Sequence, residues 1–253
     1  MTAIRVSNVS KCYTVARQRP FLAGELMRAL LLRPASRDKH WALQDINFEV
    51  EEGESIAVIG SNGSGKSTLL SLIARTSYPT SGTIEVNGRV GPMLELGAGF
   101  HPQLTGAENI HLNASLLGLR PEEVNDKFAS IVAYADIGPF IDSPIHTYST
   151  GMTARLGFAV LAHIDPDVLI VDEALSVGDV AFNKKCQLTM ENMLQSGKTM
   201  FLVSHDMQTV KRLCSRTIWL HKGRLRAQGE TAEIVDQYLA NWSDLENESG
   251  TDK

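Results

Sequence analysis

The chain begins with alternating apolar and polar residues. Ile4, Val6 and Val9 stand among polar neighbours, a pattern that predicts a strand with one face in water. Two more β segments are predicted in ALQDINFEVEEGESIAVIG, on either side of a Glu-Gly turn, and GTIEVNGRVG predicts strands about an Asn-Gly turn. A helix is expected in TLLSLIART after residue 68. Apart from the insert described below, the first hundred residues therefore predict strands interrupted by one short helix.

The pattern then changes from a β to a helical period. From Thr105 to about Ala162, the stretches AENIHLNASLLGL and EEVNDKFASIVAYADI place apolar residues three and four apart. DVLIVDE and TMFLVSH follow as short continuous apolar runs, which is typical of parallel strands that are buried on both faces. The order predicts an α/β protein with a parallel core, interrupted by a helical subdomain at about residues 100–162.

Two segments depart from this core pattern. RQRPFLAGELMRALLLRPASRDK is basic and carries Leu22, Leu26, Ala29 and Leu30 at helical spacing, which predicts an amphipathic helix at about 20–33, inserted between two strands. A helix that simply lies on the body of the domain explains the pattern equally well. Residues 241–253 are polar and acidic, so we expect a disordered tail after a single domain over 1–240.

Composition narrows the function classes. The net charge of -5 gives no electrostatic signature of nucleic-acid binding. The three cysteines are widely separated, which suits a reducing compartment and forms no metal-binding motif. No apolar run approaches the roughly 18 residues that a membrane span needs, and the first residues lack the apolar core of a signal peptide. We expect a protein of the cytoplasmic side.

The stretch GSNGSGKST, residues 60–68, matches the phosphate-binding pattern G-x-x-x-x-G-K-[ST]. It lies between a predicted strand, SIAVI, and a predicted helix, the context in which backbone N–H groups and a helix N-terminus converge on a phosphate. Lys66 would bridge the β- and γ-phosphates, and the Ser67 hydroxyl would bind Mg²⁺. The sequence thus predicts that ATP contacts Gly60, Ser61, Asn62, Gly63, Ser64, Gly65, Lys66, Ser67 and Thr68.

Acidic residues follow the first of the two buried strands. Asp172 fits the role of a magnesium ligand, and Glu173 is then placed to deprotonate the attacking water. His205 ends the next apolar run, and parallel strands would bring it to the same edge of the sheet. Two adjacent acids can also be solvated loop charges, and a lone histidine is usually structural.

The order of these motifs resembles the ATP-binding subunit of an ABC transporter over about residues 3–240. YSTGM, residues 148–152, resembles the family signature Leu-Ser-Gly-Gly-Gln and departs from it at three of five places. The resemblance implies a P-loop NTPase of the ABC ATPase type, with a mixed RecA-like core, an antiparallel β subdomain and a helical subdomain. It further implies adenine stacking on Tyr13, contacts of Ser149 and Gly151 with the γ-phosphate held by a second copy, Asp179 at the dimer seam, and His205 as the γ-phosphate sensor.

The segment MLELGAGFHPQ, residues 93–103, indicates a branch of the family. Glu95 stands where ABC ATPases normally carry a glutamine that reaches Mg²⁺ and the attacking water. Residues 93–109 resemble the subfamily that exports lipid-linked polysaccharides such as O-antigen, teichoic acid or capsule. That resemblance implies a homodimer, a separate integral-membrane subunit, a lipid-linked glycan as the cargo, a place at the inner face of the cytoplasmic membrane, and an insert near the membrane interface.

Three alternatives stay open at this stage. A non-transport ABC ATPase would usually carry two nucleotide domains, long coiled coils or a basic surface, none of which the sequence shows. A catalytically inactive regulator is disfavoured by the presence of Lys66, Asp172, Glu173 and His205. A transporter of a drug or a lipid is distinguished only by residues 93–109.

Overall fold

The described strands form two sheets. The computed structural model describes residues 1–16, 37–93, 96–172 and 179–241. The antiparallel sheet has the order β2-β1-β4, and the larger sheet has the order β5-β6-β7-β3-β8-β9, parallel except for β9. In chain order the strands are β1 Thr2–Ala16, β2 Arg37–Glu51, β3 Ser55–Ile59, β4 Ser81–Val86, β5 Val90–Met93, β6 Val168–Val171, β7 Thr199–Val203, β8 Arg216–His221 and β9 Arg224–Glu230.

Seven described α-helices accompany the sheets. They are α1 Lys66–Ile73, α2 Gly106–Leu116, α3 Pro121–Ala135, α4 Thr150–Ile164, α5 Val180–Gln195, α6 Met207–Leu213 and α7 Thr231–Ala240. Helices α2, α3 and α4 fall in the stretch where the sequence predicts a helical subdomain. The fold is α/β, with a mixed sheet, an antiparallel sheet and a helical part, which confirms the predicted fold class.

The first strand is longer than the alternation of Ile4, Val6 and Val9 indicates. These three residues are buried, and the pairing of β1 with β2 continues to the pair Ala16 and Arg37. Cross-strand hydrogen bonds hold this extension, and they need no apolar alternation. The predicted amphipathic insert at 20–33 lies outside the described residues, as do residues 242–253 of the predicted tail.

Both predicted turns connect strands that enter different sheets. β2 belongs to the antiparallel sheet and β3 to the parallel one, and the same holds for β4 and β5. Apolar side chains of both sheets and of α1 fill the space between them, and the rings of Phe48 and Phe201 stack there with centroids 6.1 Å apart. Because burial against this shared core outweighs a local hairpin, the chain crosses from one sheet to the other at each turn.

Candidate nucleotide-binding site

The loop between β3 and α1 has the backbone shape that its glycines permit. Gly65 has φ +105°, and a Cβ there would lie 2.6 Å from the Ala42 carbonyl oxygen and 2.6 Å from Leu43 Cδ2. Only glycine fits such a close approach in this part of φ/ψ space. The loop therefore runs directly along β2 into the N-terminus of α1.

Lys66, the first residue of α1, folds back over the loop. Its Nζ donates to the carbonyl oxygens of Gly60 at 2.8 Å and Ser61 at 3.1 Å. Burial lowers the pKa of Lys66, and the nearby Asp172 carboxylate opposes that shift. The Ser64 hydroxyl is buried and makes no hydrogen bond within the described structure. A glycine-shaped loop with a lysine and a buried hydroxyl in need of a partner fits a phosphate chain.

Asp172 and His205 lie at the same edge of the parallel sheet as this loop. Asp172 follows β6, His205 follows β7, and Gly60 follows β3, in the spatial order β6-β7-β3. Burial raises the pKa of Asp172, and the Lys66 charge opposes the rise. The Asp172 N–H donates to the Met93 carbonyl oxygen at 3.1 Å, so the chain leaving β5 emerges beside Asp172.

Two predicted catalytic residues cannot be placed. Glu173 and Glu95 lie outside the described residues, although each is next to a described stretch at this edge of the sheet. Ser67 is described, on the first turn of α1. In residues 1–16, 37–93, 96–172 and 179–241, no cluster of three His, Cys, Asp or Glu side chains could hold a metal ion. An Mg²⁺ bound mainly through ATP phosphates and water needs only one or two protein ligands.

Tyr13 lies on the extended part of β1, opposite His40 of β2. The ring is 42% exposed, and Lys11 Nζ lies 5.1 Å from its centroid. An exposed aromatic face with a cation beside it is available for stacking against a planar ring. Tyr13 thus lies in the same antiparallel sheet as Ala42, whose carbonyl oxygen lies against Gly65 of the phosphate loop.

Ser149, Gly151 and Asp179 form a second group, at the beginnings of two helices. Ser149 caps α4, where its Oγ accepts from the Met152 N–H at 3.2 Å, and Gly151 lies in the first turn. Asp179 caps α5. Among the described residues, no hydrogen bond or ion pair joins this group to the phosphate loop.

Residues 96–105, which follow β5, pack on the helical part. Asn109 of α2 is fully buried; its side chain accepts from the His101 N–H at 2.7 Å and donates to the Leu104 carbonyl oxygen at 3.0 Å. On the other side, a Cβ at Gly157 of α4 would lie 2.6 Å from the Gly97 nitrogen, so the two backbones touch. The segment is held between α2 and α4.

The same segment is also bound to the chain that leads into Ser149. Ile145 N–H donates to the Leu104 carbonyl oxygen at 2.9 Å, and His146 N–H donates to the Pro102 carbonyl oxygen at 3.0 Å. A displacement of residues 101–105 would therefore also shift the chain that leads into α4. These contacts make residues 96–105 part of the helical region.

A family model described as "ABC transporter" matches residues 43–176, more than half of the chain. The chain belongs to the ABC transporter family. Within that family it is an ATPase. ABC ATPases bind ATP. No helix in the described parts of the chain is long and apolar enough to span a membrane.

This ABC ATPase is similar to proteins named for polysaccharide export. The O-antigen export system ATP-binding protein RfbB of Klebsiella pneumoniae is 50% identical over 200 residues, covering 79% of this chain and 81% of the relative. A second protein of that name and organism is 44% identical, covering 93% and 96%. The teichoic acids export ATP-binding protein TagH of Bacillus anthracis is 42% identical, but the chain spans only 42% of its length.

Solved structures share the fold at low sequence identity. The structure of an ATP-binding subunit of an ABC transporter matches with a TM-score of 0.72 and 23% identity, over 93% of each chain. A dimeric ATP-binding cassette bound to ADP and Pi, in a post-hydrolysis state, matches with a TM-score of 0.69 and 20% identity, over 90% of this chain and 98% of that one. The two comparisons establish the architecture.

Sequence reasoning passed over one residue of this region. Arg155 lies six residues after Ser149 and contacts Asp179 through its guanidinium group. An arginine at that position in a helix carries no signal of its partner, because the partner comes from a different helix 24 residues further along the chain. The pair became visible only once the packing of α4 against α5 was known.

Proposed function

We propose that this ABC ATPase powers the export of a lipid-linked polysaccharide, with O-antigen as the cargo. The observation that carries the proposal is the 44% identity to an O-antigen export ATP-binding protein over 93% of this chain and 96% of that protein. The segment at residues 93–109 agrees with it, since its residues resemble the same branch. Teichoic acid is the second candidate, because relatives named for its export match at 42%.

ATP is held by the phosphate loop of one copy. Backbone N–H groups of residues 60–68 surround the phosphates, and Lys66 moves from the loop carbonyls to the β- and γ-oxygens. Moving the Lys66 ammonium group costs little free energy, because the phosphate oxygens that it gains carry more negative charge than the carbonyl oxygens that it leaves. Tyr13 stacks on the adenine, as its exposed ring on β1 permits.

Magnesium is the cofactor that the residues at this edge fit. Ser67 and Asp172 supply a hydroxyl and a carboxylate, the hard oxygen ligands that Mg²⁺ accepts. When bound, the ion neutralises charge that develops on the phosphates. Glu95 is proposed as a further ligand, because Met93 lies directly beside Asp172 and Glu95 follows two residues later.

The remaining catalytic roles fall to Glu173 and His205. Glu173 accepts a proton from the attacking water, and its support is its position directly after Asp172. His205 senses the γ-phosphate; β7 delivers it between the strands that carry Asp172 and the phosphate loop. The Glu173 carboxylate must be ionised to accept that proton.

Two copies complete each site. Ser149 and Gly151 of one copy contact the γ-phosphate held by the other copy, and Asp179 lies at the seam between them. Among the described residues, no hydrogen bond or ion pair joins these three residues to the phosphate loop of their own chain, which agrees with this arrangement. ATP favours the closed dimer because it contacts both chains only there, and hydrolysis removes that preference.

The motion of the dimer passes to a separate membrane subunit, at the inner face of the cytoplasmic membrane. Residues 96–105 are proposed to receive it, because they are bound both to α2 and to the chain before Ser149. The insert at 20–33 is proposed to lie at the membrane interface, where its arginines suit anionic headgroups.

The test of the catalytic assignment compares ATP turnover by the wild-type chain and by Glu173→Gln. The amide cannot accept the proton, so turnover should fall at least about a hundredfold, the lower range for general-base catalysis, while ATP binding persists. Equal rates would exclude Glu173 as the base. Glu95→Gln is the matched variant: it restores the usual family residue and should retain turnover, and its inactivity would contradict the proposed role of Glu95.

A further inference from the structure

We propose that Arg155 is a positioning residue that fixes Asp179 to the helix headed by Ser149, so that these two partner-facing groups of one subunit move as one body. The inference rests on the proposed function, since it takes Ser149 and Asp179 as contacts with a second copy. Arg155 itself touches neither the phosphate loop nor Asp172 through any described hydrogen bond or ion pair.

One guanidinium group joins three helices. Arg155 lies in α4, about 9 Å along the helix axis from Ser149. Its Nη2 contacts Asp179 Oδ2 at 2.5 Å, and its Nη1 donates to the Asp136 carbonyl oxygen at 3.2 Å. The arginine side chain is only 20% exposed. One side chain thus connects α4 with the cap of α5 and with the C-terminal end of α3.

Asp179 uses its two carboxylate oxygens for two tasks. Oδ2 accepts from Arg155, while Oδ1 accepts from the Phe182 N–H at 2.9 Å and so caps α5. The two contacts together lower the pKa of Asp179, which keeps the carboxylate ionised at neutral pH. Because both oxygens are engaged, the side chain has one orientation relative to α4. Without Arg155, the carboxylate would lose that fixed orientation, and the cap of α5 would open more often.

A packed aromatic cluster lies under the ion pair and makes the connection rigid. The Arg155 guanidinium lies 4.9 Å from the centroid of the Phe182 ring. Phe182 is buried, and its ring meets Phe158 of α4 and Tyr134 of α3 edge-on, each at 6.1 Å. Lys185 Nζ lies 3.9 Å from the Tyr134 ring centroid and donates to its carbonyl oxygen. The start of α5 is therefore packed firmly against α3 and α4, the helices of the part that carries Ser149.

Asp136 provides a matched control. Its carboxylate lies 3.5 Å from the same guanidinium group, but it is 80% exposed, and Asp136 lies at the C-terminal end of α3. Asp136→Ala removes a charge from Arg155 without touching Asp179. If a loss of activity came from disturbing the surroundings of Arg155 in general, both Arg155→Ala and Asp136→Ala would show it. If it came from losing the position of Asp179, only Arg155→Ala would show it.

The experiment measures ATP turnover and ATP binding of the purified full chain in a double-mutant cycle. Arg155→Ala should lower kcat about tenfold, the scale of one charge-assisted hydrogen bond, and leave the Kd for ATP within about twofold. Asp136→Ala should keep the wild-type kcat within about twofold. Arg155→Ala combined with Asp179→Ala should lose no more than Asp179→Ala alone, because the two residues act as a unit.

Three kinetic results would overturn the proposal: fully multiplicative losses in that double variant, an Asp136→Ala variant as slow as Arg155→Ala, or an Arg155→Ala variant with normal kcat. Amide exchange at residues 180–183 separates this question from the proposed function. Exchange there should rise several-fold in Arg155→Ala and stay at the wild-type level in Asp136→Ala. A wild-type chain without ATP turnover would refute the proposed function, and unchanged exchange in Arg155→Ala would then still refute the positioning role.

Discussion

Replacing Asn109 with alanine should loosen residues 96–105 from the helical part. The amide is fully buried, and it accepts from the His101 N–H and donates to the carbonyl oxygens of His101, Leu104 and Thr105. Each of these carbonyl oxygens keeps a backbone N–H donor when the amide is removed. The His101 N–H loses its acceptor outright, at 2.7 Å the shortest of the four contacts.

The expected loss of stability follows from these hydrogen bonds. An unsatisfied, partly buried N–H and the lost bonds to carbonyl oxygens together amount to about 2 kcal/mol. For a chain of this size, that corresponds to a fall in Tm of about 4–8 °C. Differential scanning calorimetry without nucleotide measures it directly.

Asn113→Ala is the matched control for this prediction. Asn113 lies one turn further along α2 and is also buried, but its Nδ2 makes one described bond, to the Ala98 carbonyl oxygen at 2.9 Å. Its loss should lower Tm by about half as much, since one hydrogen bond contributes about 1 kcal/mol. An Asn109→Ala variant that melts with the wild type, or melts above Asn113→Ala, would refute the claim that this amide holds the segment.

Three further predictions concern the nucleotide site. Burial raises the folded-state pKa of Asp172 above its ordinary value of 3.8, so stability is lost as pH rises through the folded pKa. Asp172→Asn should therefore have a higher Tm than the wild type at pH 7 without ligands, and the difference in Tm should shrink towards pH 4. A difference in Tm that does not change with pH would contradict this. Gly65→Ala should lower stability by about 1–3 kcal/mol in urea denaturation, because its Cβ meets the Ala42 carbonyl oxygen, while Gly63→Ala, with nothing within 4 Å, should cost less. Tyr13→Ala should weaken ATP binding roughly tenfold in a fluorescence titration and Tyr13→Phe should not, since stacking needs the ring and not the hydroxyl.

The nucleotide site could be predicted from sequence because its signals are local. Residues 60–68 carry a complete phosphate-binding pattern, and the strands before Asp172 and His205 are continuously apolar, as strands covered on both faces must be. Parallel strands place their carboxyl ends at one edge, so the grouping of these residues followed without knowledge of the strand order.

The features that could not be predicted from the sequence depend on contacts between segments that are far apart in the chain. The turns at Gly53 and Gly88 look like hairpins locally, but the strands on either side bury their faces in different sheets. The extension of β1 to Ala16 is held by backbone pairing that leaves no apolar signature. Arg155 and Asp179 meet across two helices, and a charge pair of that kind has no fixed spacing.

The most direct test of the central claim is the surface polysaccharide of the organism that carries this gene. Inactivating the gene should leave the glycan lipid-linked at the inner face of the membrane, and restoring the wild-type gene should return it to the surface. A gene encoding Lys66→Ala should fail to restore it, because the site then lacks its phosphate-binding cation. Surface glycan that persists without the gene, or returns with Lys66→Ala, would contradict ATP-driven polysaccharide export by this protein.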